Sequence, residues 1–350
     1  MGRVIKVGIV GYGSYVPYHR VQAELVAKEN RHDWKKVGQS LGVIEKAVPA
    51  RDEDAVTFAV HAARNALARA KIAPSALGVV YVGSESHPYA VKPSASIVGT
   101  ALGLEMYYAA ADFEFACKAG TAALQAAFAQ VKADFATYAL ALGTDTAQAA
   151  RGDILEYTAG AAAAAFIVGA GEGIIASLDA TLSLSSDTPD FWRRGLQKFP
   201  AHVGRFTAEP GYFAHVQTTT QAILAKTGMK PGDFAHVIFH QPNMRFPVSV
   251  AHKLGFTPAQ LDAGLLVKQI GNSYSASSLL GFSAVLDIAK AGQKILLVSY
   301  GSGSGCDAFV FTKTERLMAV QSTATKTLAY VQRKNYIAYS QYRNNINLVC

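Results

Sequence analysis

One pattern recurs in this chain after about 157 residues. The segment ALARAKIAPSALGVVYVGSE at 66–85 matches ILAKTGMKPGDFAHVIFHQP at 223–242, and Pro74 aligns with Pro231 at an offset of 157. YALALG, which ends at Gly143, matches LLVSYG, ending at Gly301, at an offset of 158. Two matches at nearly one offset indicate a duplicated unit. We predict two similar halves, residues 1–172 and 173–318, and a C-terminal tail at 319–350.

The repeated unit has the pattern of an α/β protein. Short apolar runs bounded by glycine, such as LGVVYVG and KILLVSYG, alternate with longer alanine-rich segments of helical spacing, such as AVTFAVHAARNALARA. Continuous apolar strands that alternate with helices are typical of sheets covered by helices on both faces. We therefore predict an α/β fold for each half.

Composition excludes several classes of protein. Half of the residues are hydrophobic and 17% are charged, which argues against disorder. The net charge of +8 comes from scattered basic residues, a distribution that fits an anionic small molecule as well as nucleic acid. We predict no nucleic-acid partner. The most apolar stretch, AGAAAAAFIVGAG, is too short for a membrane span.

The three cysteines, Cys117, Cys306 and Cys350, are few and widely spaced. This spacing is typical neither of a disulfide framework nor of a zinc site. With no apolar run at the N-terminus long enough for a signal peptide, we expect a cytoplasmic protein without a bound metal.

Two glycine-rich segments resemble nucleotide-binding motifs but lack residues that those motifs require. In GIVGYGSYVP, the third glycine of a dinucleotide fingerprint is replaced by Val16, and Pro17 follows where the helix should begin. The segment SYGSGSGCDAF lacks the lysine and hydroxyl residue of a P-loop. A nicotinamide enzyme and a P-loop protein are thereby excluded.

Cys117, in DFEFACKAGTAALQAA, has two interpretations. Buried cysteines commonly serve as small apolar core residues. Alternatively, small residues and helix formers follow Cys117 directly. A thiol at the start of a helix has its pKa lowered by the helix dipole, as a nucleophile requires. The segment by itself leaves both interpretations open.

The duplication indicates which polar residues share a cleft with Cys117. Glu85 and His240 follow equivalent strands of the two halves, and Cys117 and the segment around Asn272 precede equivalent helices. Equivalent positions near a pseudo-twofold axis face each other, so one cleft can receive all four side chains. Taken one at a time, Glu85 and His240 could equally be ordinary loop residues.

A series of motifs in fixed order resembles the archaeal type of hydroxymethylglutaryl-CoA synthase, in the thiolase superfamily. The motifs are GSESHPYAVKP, EFACKAGTAA, GTDTAQ, DTPDFWRR, GRFTAEPGYF, FHQPN, GNSYS and SYGSGSG. The resemblance covers nearly the whole chain. It implies a thiolase-like fold, in which the two duplicated halves form a layered α-β-α-β-α architecture.

The resemblance also implies roles for individual residues. Cys117 corresponds to the nucleophile that accepts an acetyl group, Glu85 to the general acid–base carboxylate, and His240 to the histidine that binds the acetoacetyl group. It further implies substrate-binding residues Thr158, Thr207, Asn272 and Ser302, and CoA-binding residues Arg205, Arg245 and Lys253. Met244 and Arg245 stand where the family more usually has a glycine–lysine pair.

The activity implied is the condensation of acetyl-CoA, acetoacetyl-CoA and water to hydroxymethylglutaryl-CoA and CoA, in the mevalonate pathway to isoprenoids. Coenzyme A thioesters would be the substrates, with no other cofactor. A homodimer is implied, together with a complex containing an acetoacetyl-CoA thiolase and a small bridging protein.

Three alternatives remain at this stage. A ketoacyl-acyl-carrier synthase III also uses Cys, His and Asn on this fold but needs no carboxylate base, so Glu85 argues against it. A thiolase requires a second catalytic cysteine, and Cys306 lies outside the usual motif. A non-catalytic acyl-CoA-binding scaffold would have no reason to keep the full set of polar residues.

Overall fold

The computed structural model describes residues 6–146, 149–303 and 305–349, apart from the side chains of Arg205, Leu348 and Val349. The strands are β1 Val7–Tyr15, β2 His19–Gln22, β3 Glu45–Val48, β4 Leu77–Gly83, β5 Ala109–Phe113, β6 Tyr138–Asp145, β7 Ala162–Ala170, β8 Ala176–Ser185, β9 Phe191–Trp192, β10 Ala201–His202, β11 His236–Phe239, β12 Lys294–Val298, β13 Gly305–Lys313 and β14 Asn335–Tyr336. The helices are α1 Ala23–Glu29, α2 Trp34–Leu41, α3 Ala55–Ala70, α4 Ser94–Leu102, α5 Ala119–Lys132, α6 Gly204–Phe206, α7 Phe213–Thr227, α8 Arg245–Lys253, α9 Pro258–Asp262, α10 Val267–Ile270, α11 Ser277–Leu286, α12 Thr327–Gln332 and α13 Tyr339–Val349.

Strand order within the main sheet repeats between the two parts of the chain. The order is β5-β4-β6-β7-β1 followed by β8-β13-β12-β11. In the first part, β4 and β6 are parallel, whereas β6–β7 and β7–β1 are antiparallel. In the second part, β11–β12, β12–β13 and β13–β8 repeat these directions. The predicted duplication is confirmed. Its division at residue 172 stays a prediction and falls in the Gly171–Gly173 turn between β7 and β8.

Helices pack on both faces of each part of the sheet. The outer face of the first part is covered by α3, and that of the second part by α7. Leu124 and Phe128 of α5 and Leu279 and Phe282 of α11 share one core with the inner faces of both parts. The result is the predicted α-β-α-β-α layering. The helices α5 and α11 begin 158 residues apart, at the offset of the sequence repeat.

The glycines of GIVGYGSYVP have a packing role. A Cβ atom at Gly11 would lie 2.4 Å from the carbonyl oxygen of Ala66, and one at Gly13 would lie 2.2 Å from that of Ala62. Both carbonyls belong to α3. Because these distances are far below van der Waals contact, β1 needs glycine for α3 to pack on the sheet.

The tail after residue 318 packs against the first half of the chain. Its strand β14 pairs in parallel with β2, and Asn345 of α13 donates a hydrogen bond to the carbonyl of Pro49. The tail is therefore part of the folded unit. Across the described residues, no helix combines the length and the hydropathy that crossing a bilayer requires.

Candidate active site

Cys117 lies in the turn that connects β5 to α5. Ala116 has a φ of +44°, a left-handed conformation that turns the chain just before the thiol. The helix begins two residues later, at Ala119, whose N–H donates to the carbonyl of Ala116. The Cys117 side chain is 4% exposed. The turn thus holds a buried thiol at the N-terminus of a helix in the middle layer.

Glu85 approaches this thiol from the end of β4. The Sγ atom of Cys117 lies 3.2 Å from Oε1 of Glu85, with the thiol as donor. At this distance a proton can pass directly between the two groups. The sequence predicted that Glu85 and Cys117 share a cleft, and the structure places them in contact.

Asp145, at the end of β6, organises the Glu85 loop. Its Oδ1 atom accepts hydrogen bonds from the Ser84 hydroxyl at 2.8 Å, the Glu85 N–H at 2.9 Å and the Ser86 hydroxyl at 2.6 Å. Its Oδ2 atom accepts from the N–H of Ser275, in the second half of the chain, at 2.8 Å. One buried carboxylate therefore fixes the loop that carries Glu85 and ties it to the other half.

Two glycines allow this close approach of the halves. A Cβ atom at Gly120 or Gly143 would lie 2.7 Å or 2.6 Å from the carbonyl oxygen of Ser275. Any larger residue would push the start of α11 away from α5 and β6. Asp145 could then no longer reach the N–H of Ser275.

Burial governs the proton affinities of Glu85 and Cys117. Burial, with the neighbouring Asp145 carboxylate, raises the pKa of Glu85 to about 8. Burial and the charge of Glu85 raise the pKa of Cys117 well above its ordinary value, and a hydrogen bond with Asn272 only partly offsets this. The sequence led us to expect a lowered pKa for Cys117, and it is raised instead, because burial and the Glu85 charge disfavour the thiolate. Deprotonation of Cys117 would require a neighbouring base, and the Glu85 carboxylate is in position to accept the proton.

His240 follows β11 and is held by its backbone. Its N–H donates to the carbonyl of Val298, and its carbonyl accepts from the Tyr212 hydroxyl at 2.6 Å. Burial lowers the pKa of His240 to about 3, so its imidazole is neutral. Among the described residues its Nδ1 atom has no hydrogen-bond partner. A neutral ring with a free nitrogen suits hydrogen bonding to a carbonyl ligand.

Asn272 reaches the thiol from the second half. Its backbone N–H donates to the carbonyl of Thr158, and its own carbonyl accepts from Gly160, so the segment runs as a short bridge beside the first half. The side-chain oxygen accepts from the N–H of Tyr274 at 2.9 Å. This arrangement orients the amide toward Cys117.

A cavity of about 300 Å³ collects most of the predicted residues. It is lined by Cys117, Thr158, Thr207, His240, Arg245, Asn272 and Ser302, together with residues that the sequence did not single out, among them Phe191, Tyr212, Asn243, Tyr274 and Tyr300. Thr207 Oγ1 is buried and has no partner within the described part of the chain. The cavity walls thus combine aromatic and aliphatic side chains with a few polar groups that a ligand can satisfy.

The three predicted CoA-binding residues lie in different places. Arg245, the first residue of α8, is exposed and lines the cavity. Lys253, the last residue of α8, lies roughly 12 Å further along the helix axis and pairs with Glu209 at 3.6 Å. The side chain of Arg205 lies outside the described residues. Of the two whose side chains are described, Arg245 therefore reaches the cavity and Lys253 does not.

Cys306 lies outside the cavity that Cys117 lines. It lies in β13, is fully buried, and its thiol donates to the carbonyl of Ser299 at 2.5 Å. It lines neither the cavity around Cys117 nor the neighbouring cavity that Glu85 lines. Nor do the described residues hold any group of three His, Cys, Asp or Glu side chains arranged to bind a metal ion.

The C-terminal helix supports one wall of the cavity. Glu156, fully buried in the Ile154–Tyr157 turn before Thr158, accepts hydrogen bonds from Tyr339 at 2.9 Å and from Arg343 at 3.2 Å. Both donors belong to α13. The tail, to which the sequence assigned no role, therefore anchors the turn that carries Thr158.

Replacing Arg343 by methionine should destabilise the protein by about 3 kcal/mol, because it leaves a buried carboxylate without its cationic partner. The measurement is the free energy of unfolding in urea. Lys36→Met is the matched control, because it removes an exposed ion pair with Asp33 and should leave stability unchanged. Equal stabilities of the Arg343 variant and wild type would contradict the anchoring role.

Comparisons with known proteins agree over the length of the chain. Residues 224–313 match the family model of the 3-oxoacyl-[acyl-carrier-protein (ACP)] synthase III C terminal. The chain is 52% identical over 336 residues to the hydroxymethylglutaryl-CoA synthase of Archaeoglobus fulgidus, covering 96% of this chain and 97% of that one. It is 51% identical over 335 residues to the synthase of Methanocaldococcus jannaschii, with coverage of 96% and 97%.

Solved structures give the same result. The structure of MvaS in complex with 3-hydroxy-3-methylglutaryl coenzyme A superposes with a TM-score of 0.88 at 26% identity, covering 98% of this chain and 92% of that one. The similarity extends through both halves of the fold.

Proposed function

The chain belongs to the hydroxymethylglutaryl-CoA synthase family, and from this we propose that Cys117, Glu85 and His240 carry out its reaction. The reaction is an acyl transfer and condensation: acetyl-CoA, acetoacetyl-CoA and water give 3-hydroxy-3-methylglutaryl-CoA and CoA, a step of the mevalonate pathway. The observation that carries the assignment of residues is the 3.2 Å contact between the Cys117 thiol and the Glu85 carboxylate.

In the first step Glu85 accepts the proton of Cys117. The sulfur attacks the carbonyl carbon of acetyl-CoA, the C–S bond to CoA breaks, and CoA leaves with a proton. The acetyl group is then held on Cys117. A covalent intermediate divides one difficult condensation into easier steps. The raised pKa of Cys117 makes the neighbouring base necessary.

In the second step Glu85 removes a proton from the acetyl methyl group. The resulting carbon nucleophile forms a C–C bond to the C3 ketone of acetoacetyl-CoA, whose oxygen takes up the proton that Glu85 removed, so that Glu85 is again a carboxylate. Neutral His240 and the amide of Asn272 line the cavity and supply hydrogen bonds to the substrate carbonyls. Water then cleaves the thioester to Cys117.

The test is an assay of both products. Wild type with acetyl-CoA and acetoacetyl-CoA should release one free CoA for each hydroxymethylglutaryl-CoA formed. A synthase III instead joins an acyl group to a malonyl carrier with loss of carbon dioxide. When a malonyl carrier is added to the same mixture, formation of a ketoacyl carrier without hydroxymethylglutaryl-CoA would overturn the proposal.

CoA thioesters are the substrates, and Arg245 is the best-supported contact for their anionic part. Arg245→Met should raise KM for acetoacetyl-CoA about tenfold with little change in kcat, because a charge-assisted hydrogen bond contributes about 1.5 kcal/mol or more. Lys253→Met, outside the cavity, is the matched comparison and should change KM less than about twofold. If the two substitutions raised KM equally in steady-state kinetics, the assignment of Arg245 as the CoA contact would be wrong. The role of Arg205 stays a prediction.

A homodimer forms through β5. This strand is at the edge of the sheet, and within the described part of the chain it pairs with β4 alone. Directly before this strand in the chain, the apolar side chains of Met106 and Tyr107 are 88% and 95% exposed. An open strand edge beside an apolar patch favours pairing with a second copy.

Tyr107→Asp should therefore shift the protein from dimer to monomer, because it places a charge in the contact. Light scattering after size-exclusion chromatography measures the change. Leu196→Asp, which replaces another fully exposed apolar residue, should leave the dimer intact. A monomeric wild type would contradict the interface.

Three further expectations belong to this proposal. A cytoplasmic location is supported by the free thiols of Cys117 and Cys306, as in a reducing compartment. Catalysis without another cofactor follows from the chemistry above. Assembly with an acetoacetyl-CoA thiolase through a small bridging protein stays a prediction, for which co-purification is the measurement.

A further inference from the structure

A second cavity, of about 430 Å³, reaches the acid–base pair by another route. Glu85 lines this second cavity and not the first, whereas Cys117 lines the first and not the second. Phe191 and Ser302 line both cavities, so they form part of the wall between them. The thiol and the carboxyl, 3.2 Å apart, are therefore accessible from two different spaces.

The second cavity is suited to water. Glu114, Asp187 and Arg193 are exposed residues that line it, so its mouth is charged. The Arg193 guanidinium donates a 2.7 Å hydrogen bond to the backbone carbonyl of Glu85. This bond ties the 187–193 loop to the segment that carries the base. Charged groups at the mouth favour hydration over the entry of an apolar acyl chain.

We infer that this second cavity supplies the water that releases the product from Cys117. The inference rests on the proposed function. Before release, the condensed acyl group is joined to Cys117 at one end and to CoA at the other. The acyl group and the CoA arm then fill the first cavity, which measures only about 300 Å³. Water cannot use that route, and the second cavity meets the reacting atoms at Glu85.

The release step balances with the groups in place. A water molecule beside Glu85 gives a proton to the carboxylate as its oxygen bonds to the thioester carbonyl carbon. The C–S bond to Cys117 breaks, and the sulfur regains a proton from Glu85. The products are a carboxylic acid and the free thiol. Condensation consumes no water, so only release depends on the second cavity.

The test narrows the second cavity at its mouth. Asp187→Trp and Glu114→Trp add bulk at exposed residues that line it, and Asp187→Asn and Glu114→Gln are matched controls that keep a polar, hydrated side chain of the same size. Each protein is acetylated with acetyl-CoA, mixed with acetoacetyl-CoA, quenched in acid at short times and weighed intact. The readout is the adduct of the condensed acyl group and CoA on Cys117.

In the tryptophan variants this adduct should accumulate and persist about tenfold longer than in wild type, while the rate of acetylation changes less than about twofold. The controls should behave as wild type. Unchanged adduct lifetimes in both tryptophan variants, or acetylation slowed by the same factor as release, would overturn the inference. Failure of wild type to acquire any acetyl group would instead overturn the proposed function.

Discussion

Replacing Cys117 by alanine should lower the rate of condensation roughly 10⁴-fold or more, because it removes the thiol that is proposed to carry the acetyl group. The thiol is the only cysteine that lines the cavity among the described residues. The measurements are release of CoA from the two substrates and the intact mass of the protein after incubation with acetyl-CoA. The variant should show no acetyl adduct.

Cys306→Ala is the control for this experiment. Cys306 is equally buried but lies in β13, outside both cavities. Its variant should keep the acetyl adduct, with a rate within about threefold of wild type. An acetyl adduct that survives in the Cys117 variant would show that another residue is the nucleophile.

Replacing Glu85 by glutamine should lower the rate of condensation roughly 10³-fold, a typical cost for loss of a positioned general base. Glutamine keeps the shape of the side chain but cannot accept the proton of Cys117 or of the acetyl methyl group. The separate steps are followed by acetylation of the protein and by exchange of the acetyl methyl protons with deuterated solvent. Both should slow in the variant.

The pH dependence of acetylation gives a second signature of Glu85. A base acts only when deprotonated, and the pKa of Glu85 is raised to about 8 by burial. The rate should therefore rise with pH and level off above about 8. The pKa of Cys117 lies higher still, so the thiol does not account for this inflection. The inflection should be absent in Glu85→Gln. A variant that keeps it would show that another group titrates.

Asp112→Asn is a useful comparison for the Glu85 experiments. Asp112 is also a carboxylate near the end of a strand, where it accepts hydrogen bonds from the N–H groups of Ser94 and Ala95. It lines neither cavity. Its variant should keep the inflection near pH 8, which separates loss of the base from loss of a partly buried carboxylate elsewhere in the first half.

The elements with strong local patterns were predicted closely from the sequence. The segment AVTFAVHAARNALARA forms α3 over its full length, and LGVVYVG forms β4. The repeat offset of 158 is the spacing of α5 and α11. The offset between the halves predicts which residues lie close together, because equivalent elements of the two halves pack in the same core. That is why Glu85, Cys117 and Asn272 could be grouped before any distance was known.

The alanine-rich segment AGAAAAAFIVGAG shows what the local pattern could not reveal. Alanine favours helices, yet Ala162–Ala170 forms β7 near the centre of the sheet. Helix α3 packs on one face of β7, and α5 and α11 pack on the other. Small side chains let helices approach closely from both sides. Tertiary packing thus overrides the propensity of these residues.

Several site residues escaped prediction because their roles depend on contacts distant in the chain. Asp145 and Tyr212 lie inside motifs that were recognised, but nothing local shows that they bind Ser275 and His240. The anchoring of Glu156 by α13 spans 187 residues to Arg343. The direction of the Cys117 pKa shift was also missed, because it depends on how deeply the thiol is buried, and burial is set by contacts between distant segments.

Duplication gives a chain two positions at which a nucleophile could stand, and here the copies have diverged. At the repeat offset of 158, Ser275 corresponds to Cys117. Its hydroxyl donates to the carbonyls of Gly83 and Thr144, and its N–H donates to Asp145. In the second half, the residue at this position therefore forms hydrogen bonds that hold the strand ends of the first half in place. A thiol introduced at Ser275 would not create a second reactive centre. It would instead remove the hydroxyl that bonds the segment before α11 to the strand ends beside Glu85 and Asp145.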